Sequence, residues 1–110
     1  MQQVKYRTKY ELTAWCYDKK GNLLSEAKNS YRKTHPLQAY FAEKVGLPDK
    51  IYLHAEIAAI LRAGKKKIHR LVVMRYSKLT GDALPSKPCP ICQEAIKAYG
   101  IKEVLYTNGE

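Results

Sequence analysis

His54-Ala55-Glu56 and Pro88-Cys89-Pro90-Ile91-Cys92 are the two stretches of sequence that decide the fold of this chain. They read as H-x-E followed by P-C-x-x-C. Zn²⁺ binds nitrogen and sulfur ligands in a tetrahedral arrangement, and a catalytic site keeps one of the four positions for water. His54, Cys89 and Cys92 supply three ligands, and the spacing of the cysteines brings both sulfurs onto one helical turn. The pattern predicts a catalytic site with one Zn²⁺ per chain.

Glu56 lies two residues after His54, so its side chain cannot share the direction of that ligand. We expect it to handle protons beside the metal as a general acid and base. Alternatives stay open for the motif. A structural zinc site usually has four protein ligands, and His35 or His69 would have to complete it. An isolated C-x-x-C also occurs as a redox pair, and a zinc-stabilised binding module without catalysis is a further alternative.

The length and composition suit a single compact domain over residues 1–110, since 45% of the residues are hydrophobic. No apolar run reaches about 18 residues, so neither a membrane-spanning helix nor a membrane partner is expected. The N-terminus does not read as a secretory signal. Cys16 is left outside the zinc motif, where we expect a small core residue. The odd number of cysteines favours a reduced, cytoplasmic protein.

The net charge of +10 arises from 20 basic and 10 acidic residues. Such a surplus favours anionic partners such as nucleotides or nucleic acid. The alternative interpretation is that the basic residues only keep the protein soluble and bind no particular partner. The basic residues are spread along the chain, with local densities such as Lys65-Lys66-Lys67, and both interpretations stay open.

The hydrophobic pattern predicts four strands, at residues 4–17, 23–29, 71–74 and 104–106. A turn at 18–22 joins the first two strands into a hairpin. The continuous apolar run at 71–74 is typical of a central strand that is buried on both faces. Residues 77–87 are expected to form a loop.

Three helices are expected, the first from Pro36, the second at 54–63 and the third with Cys89 as its cap and Pro90 at its first position. Gly46, Gly64 and Gly100 end them. The apolar face of the first helix is expected to consist of Leu37, Tyr40, Phe41 and Val45. Strand, helix and strand in that order imply a parallel, right-handed crossover. The fold class is therefore α/β, a three-layer domain whose mixed sheet of about four strands combines a β-hairpin with a parallel β-α-β unit and carries helices on its faces.

Two segments, LHAEIAAIL at 53–61 and PCPICQEAIKAYGIKEVLY at 88–106, resemble the motif helices and the following strand of the cytidine/deoxycytidylate deaminase superfamily. The likeness covers most of the chain, more loosely over residues 1–30. It implies a cytidine-deaminase-like fold and a zinc-dependent hydrolytic deaminase acting on a nucleobase. His54, Cys89 and Cys92 match the zinc ligands of the family, and Glu56 matches its proton shuttle.

The resemblance also implies a substrate pocket. Asn29 matches an asparagine near the end of the second strand that holds the sugar or the base, and the main-chain amide of Ala55 matches one that contacts the base. Tyr31 and His35 lie where an aromatic wall of the pocket would be. Asn29 as a turn residue and His35 as a helix cap before Pro36 stay open as alternatives.

Many members of the superfamily continue with a further strand or helices that close the pocket, whereas only Thr107 to Glu110 follow the last expected strand here. We therefore expect an open pocket, or one that a second subunit completes, and a homo-oligomer. The preferred function is the deamination of a cytosine-containing nucleoside or nucleotide to its uracil form, in nucleotide metabolism. The alternative is a nucleic-acid deaminase acting on cytosine in single-stranded DNA or on adenosine in tRNA.

Overall fold

The computed structural model describes residues 10–30 and 32–107, which form five strands and three helices. The strands are β1 Tyr10–Tyr17, β2 Leu23–Lys28, β3 Arg70–Ser77, β4 Ala83–Leu84 and β5 Glu103–Tyr106. The helices are α1 Pro36–Lys44, α2 Ala55–Ala63 and α3 Pro90–Ala98. The first part of the strand expected at 4–17 lies outside the described residues. In the described part, no helix has the length and the apolar character needed to cross a membrane.

The strands form one open sheet in the order β2-β1-β3-β4, with β5 also paired to β3. β1 runs antiparallel to both β2 and β3. The far edge of β3 is shared, because β4 pairs antiparallel with Arg75 and Tyr76 while β5 pairs parallel with Arg70 to Val73. The α/β class is confirmed, but the sheet has five strands and is mainly antiparallel. The fifth strand arises because the segment expected to be a loop turns back beside β3 as β4. The three-layer arrangement about a parallel crossover stays a prediction.

One face of the sheet forms the core. Ala14 pairs with Val73 and Cys16 with Leu71 across β1 and β3, and all four side chains are fully buried. α2 packs against β1 and β2. On the opposite face Met74 is 40% exposed, so the expectation that β3 is buried on both faces is wrong. Its burial alternates along the strand, as in a sheet with one covered face.

α1 begins at Pro36, as predicted, and His35 is its N-cap. The Nδ1 atom of His35 accepts a hydrogen bond of 3.0 Å from the backbone N–H of Leu37. The predicted apolar face is partly wrong, because Tyr40 is 56% exposed and the polar Gln38 is fully buried. The helix packs against α3, and Gln38 lies with Phe41 on the side turned away from solvent.

Candidate metal centre and active site

The helices α2 and α3 bring the motif residues together at their first turns. His54 is the N-cap of α2 and Cys89 is the N-cap of α3, while Cys92 lies in the first turn of α3. An N-cap side chain commonly accepts a hydrogen bond from the first turn of its own helix. Neither His54 nor Cys89 makes such a bond. Their side chains point to one another instead.

The distances between the three side chains suit a single zinc ion. The Nδ1 atom of His54 lies 3.3 Å from the Sγ atom of Cys92 and 3.5 Å from the Sγ atom of Cys89. All three ligand atoms lie within 4.8 Å of one another. Zinc–nitrogen bonds of about 2.0 Å and zinc–sulfur bonds of about 2.3 Å at a tetrahedral angle separate N and S by about 3.5 Å. The donor set and its spacing therefore fit Zn²⁺, and His54, Cys89 and Cys92 would hold one ion.

Within the part of the chain that the structure describes, neither His35 nor His69 belongs to this group. Three protein ligands are the set expected of a catalytic zinc site, whereas structural sites are closed by four. None of the three cysteines is in a disulfide. This geometry favours the catalytic form over the structural and redox alternatives.

The electrostatics of the site favour a cation. A hydrogen bond from Cys92, followed by one from His54, lowers the pKa of the Cys89 thiol to about 4. The same contact with Cys89, together with burial, raises the pKa of Cys92. The contact with the Cys89 sulfur also raises the pKa of His54. Two helix N-termini meet here, and their partial positive charge further stabilises thiolates.

Glu56 is in the first turn of α2 and is only 3% exposed. Its Oε1 atom has no hydrogen-bond partner among the described residues. Burial raises the pKa of this carboxyl group. A buried oxygen atom without a partner is costly and therefore rare in folded proteins. It marks a place where a water molecule or a ligand belongs.

Gln38 positions the backbone of the metal ligand His54. The sequence motifs did not identify this residue as part of the site. Its Oε1 atom accepts a 3.1 Å hydrogen bond from the backbone N–H of His54, and its Nε2 atom donates to the carbonyl of Lys50 at 3.2 Å. The buried amide thus joins α1 to the segment that ends at His54. A polar residue at helical spacing from Phe41 and Ala42, which are both buried, was the signal available in the sequence.

Ser86 plays a similar part for the cysteine ligands. Its buried hydroxyl group donates to the carbonyl of Val73 at 2.9 Å and accepts from the backbone N–H of Thr107 at 2.8 Å. The backbone N–H of Ser86 in turn donates to the carbonyl of Thr107 at 3.0 Å. These bonds tie the segment leading to Cys89 to the middle of β3 and to the residue that follows β5.

The structure places two of the four predicted substrate-binding residues beside the start of α2. Ala55 is the first residue of that helix and is fully buried, and its N–H is one of those that a helix start leaves without a helical partner. Asn29 directly follows β2, and the next residue, Ser30, donates its N–H to the carbonyl of Leu53 at 2.9 Å. That bond fixes the end of β2 one residue from His54.

Of the other two predicted residues, the structure describes only His35. His35 caps α1, which was the alternative interpretation, and a contact between its other ring nitrogen and the substrate stays a prediction. Tyr31 lies outside the described residues. Asn29 borders a groove of about 700 Å³ that lies between the end of β2 and one side of α2 and also includes Leu53, Ala58 and Lys33.

Three ligands on two helix starts, with a buried carboxyl group beside them, define the class of hydrolytic enzymes with a mononuclear zinc site. Comparison of sequences gives the family. The model of the cytidine and deoxycytidylate deaminase zinc-binding region matches residues 2–108. The chain belongs to this family, and it is in general terms a zinc-dependent deaminase. No curated protein matches the chain significantly.

Proposed function

We propose that this protein is a hydrolytic deaminase that converts a cytosine-containing nucleoside or nucleotide to its uracil form and releases ammonia. The observation that carries the proposal is Glu56. Its buried Oε1 atom has no partner among the described residues and lies next to the zinc ligands in sequence and in space. A structural zinc site has no use for such a carboxyl group, whereas a hydrolytic site needs one.

Glu56 has the properties of a proton carrier. Zinc, when bound, lowers the pKa of a water molecule toward neutrality. In the net reaction water adds to the ring carbon that bears the amino group, and the bond from this carbon to the amino nitrogen breaks. Glu56 accepts one proton from the water and delivers it to the ring nitrogen. It then accepts the second proton, from the hydroxyl group now on the ring carbon, and passes it to the amino group, which leaves as ammonia while the carbonyl forms. Burial raises the pKa of Glu56, which favours the protonated form that the carboxyl group must adopt between accepting and donating a proton.

Asn29 and the main-chain amide of Ala55 are proposed to hold the substrate. Asn29 offers an amide that can accept and donate, which matches a sugar hydroxyl or a base edge. Lys33 lies in the same groove and supplies a positive charge for a single phosphate. The groove thus offers an amide and a cation to a nucleoside or a nucleotide, and it borders α2, the helix that begins after His54.

The alternative is a nucleic-acid deaminase acting on cytosine in single-stranded DNA or on adenosine in tRNA. The observation that favours it is the net charge of +10. A polynucleotide needs several phosphate contacts, and each one makes binding to a single strand weaken with salt with a slope of about 0.7. A free nucleotide needs one or two contacts and gives activity with little salt dependence.

Ammonia release from a panel of substrates tests both functions. Cytidine, dCMP, adenosine, a single-stranded oligonucleotide and tRNA should be compared with wild-type protein and with Glu56→Gln as the inactive control. The proposal expects the highest activity on cytidine or dCMP, with similar rates at low and physiological salt. Faster reaction on the oligonucleotide or tRNA, with steep salt dependence, would replace it by the alternative.

We further propose a single cytoplasmic domain that associates with copies of itself. Met74 on β3 and Leu105 on β5 leave apolar surface exposed on the sheet, and a strand edge without a partner invites further pairing. Light scattering at micromolar concentration should show a dimer or a larger assembly. A monomer with full activity would refute self-association and leave the proposed reaction intact.

A further inference from the structure

The sheet has a second end, opposite the zinc site, and lysines gather there. Five of them line one cleft of about 630 Å³: Lys19, Lys20, Lys66, Lys67 and Lys102. They come from three connections that are far apart in the sequence, namely the β1–β2 turn, the α2–β3 loop and the α3–β5 loop. Like charges repel, so such a gathering raises the free energy of the folded protein. A ligand of opposite charge removes that cost.

Backbone hydrogen bonds connect the segments that line the cleft. The N–H of His69 donates to the carbonyl of Tyr17 at 2.8 Å, and the carbonyl of His69 accepts from the N–H of Lys102 at 3.0 Å. His69 thereby joins the α2–β3 loop to the α3–β5 loop and to the end of β1, where the β1–β2 turn begins. Leu24 and the buried Ile68 add apolar surface to the cleft. The lysines are therefore held around a formed concavity and are not merely spread over a convex surface.

The lysine charges are also uncompensated. In the described ranges, 10–30 and 32–107, none of the five lysines forms a salt bridge. One carboxylate, that of Asp18, lines the cleft. Its oxygens accept hydrogen bonds from the N–H of Lys20, at 2.9 Å, and from the backbone and side chain of Asn22, at 2.9 and 3.1 Å. It is occupied in shaping the turn, and the net charge of the cleft stays strongly positive.

The cleft is separate from the zinc site. α2 and α3 each have nine residues and start at the metal ligands. They end next to the cleft, α2 at its C-cap Gly64 and α3 two residues before Gly100. Nine residues of α-helix span about 13 Å. That distance exceeds the Debye length of about 8 Å at physiological salt. A substrate phosphate at the zinc site therefore cannot be what the five lysines serve.

We propose that the lysine cleft is a second binding site, specific for a run of linked phosphate groups. Five ammonium groups around one concavity exceed what a single phosphate needs, and they match the closely spaced charges of a nucleic-acid strand or of a free triphosphate. The two sources share this chemistry. The apolar floor at Leu24 and Ile68 can take up a base or sugar attached to the phosphates.

Fluorescence anisotropy with a labelled oligothymidine tests the proposal, because a strand without cytosine or adenine offers the proposed reaction no substrate. The double variant Lys66→Gln/Lys102→Gln removes two charges from the cleft. The matched control Lys44→Gln/Lys78→Gln removes two exposed charges elsewhere, one on α1 and one in the β3–β4 turn. The wild-type protein should bind with a linear dependence of log K on log salt. The cleft variant should lower the slope by about 1.4, at about 0.7 per lost contact, while the control keeps the wild-type slope.

Competition with tripolyphosphate separates the two sources. Displacement of the strand supports a site that accepts any run of phosphates, and retention of the strand supports a site for a polynucleotide. Equal slopes for both double variants, or no binding by wild type, would overturn the proposal. Cytidine deamination by the cleft variant should stay at the wild-type rate, so the failure of this second site and the failure of the proposed reaction can be told apart.

Discussion

The side-chain oxygen of Gln38 accepts a hydrogen bond of 3.1 Å from the backbone N–H of His54. Gln38 is fully buried in α1, and His54 begins α2. The bond therefore fixes the backbone of a metal ligand from a different helix. Groups that orient a ligand in this way tune the affinity of a metal site although they do not touch the metal.

Gln38→Leu should weaken zinc binding by about tenfold to a hundredfold, because the N–H of His54 is left buried without an acceptor. Competition with a chromophoric chelator measures this affinity. Gln38→Glu keeps an acceptor oxygen and should restore part of the loss. Unchanged zinc affinity in Gln38→Leu would contradict a positioning role, even if the variant were less stable.

Cys89→Ala should not retain stoichiometric zinc after dialysis against a weak chelator, whereas the wild-type protein should retain about one zinc per chain. Cys16→Ala is the matched control, because Cys16 is buried in the core and is not in the zinc group. Zinc removal should also lower the melting temperature of wild type, since the metal ties the starts of α2 and α3 together. A Cys89→Ala protein with full zinc content would exclude the assigned ligands.

Glu56→Ala should lose at least about a hundredfold in activity, the usual scale for a proton carrier. Its zinc content should stay at that of wild type, because Glu56 is not among the predicted ligands, and its melting temperature should change little, since the buried Oε1 atom has no hydrogen-bond partner among the described residues. Metal analysis, thermal melting and ammonia release, measured on the same preparation, test the zinc content, the stability and the activity of the variant. Turnover close to wild type would refute the role.

Glu11 should make folding stability depend on pH. Lys28 and the hydroxyl group of Tyr76, which donates a hydrogen bond of 2.6 Å, lower the pKa of this carboxyl group. A lowered pKa stabilises the fold above the pKa of the unfolded chain, near pH 4, and the benefit is lost as pH falls through the folded value. Glu11→Gln should therefore unfold at lower urea concentration than wild type at pH 7, with a smaller difference at pH 3. The effect should be modest because the Lys28 side chain is 60% exposed.

Tyr76→Phe is the companion variant, since it removes one of the two contacts and keeps the carboxylate. Its difference from wild type should have the same sign and shrink in the same pH range. If the difference for Glu11→Gln were constant between pH 3 and 7, the ionised form of Glu11 would not be what stabilises the fold.

Local chemistry made much of the structure predictable. Pro36 and Pro90 start helices where the ring of proline costs no hydrogen bond, and Gly64 ends α2 with a positive φ of 66°. The metal ligands were predictable because zinc chemistry restricts both residue type and spacing.

Features that depend on contacts distant in sequence were not predictable. β4 has only two residues and is defined by its pairing with Arg75 and Tyr76. Gln38 looks like a surface residue until the carbonyl of Lys50 and the N–H of His54 fold onto it. The lysine cleft exists only once three separate connections meet at His69. Secondary-structure propensity and hydrophobic periodicity are local properties of the sequence, so they do not predict contacts between distant segments.

Two of the three thiols, those of Cys16 and Cys89, differ so much in accessibility and pKa that alkylation can report whether zinc is bound. Cys16 is fully buried and its burial raises its pKa, so it has neither the access nor the thiolate form that alkylating reagents require. The sulfur of Cys89 is partly accessible and has a low pKa. Mass spectrometry after brief alkylation should therefore label Cys89 in proportion to the metal-free fraction, with Cys16 as an internal standard that becomes labelled only on unfolding. One labelling reaction would then report zinc occupancy and integrity of the core on the same chain.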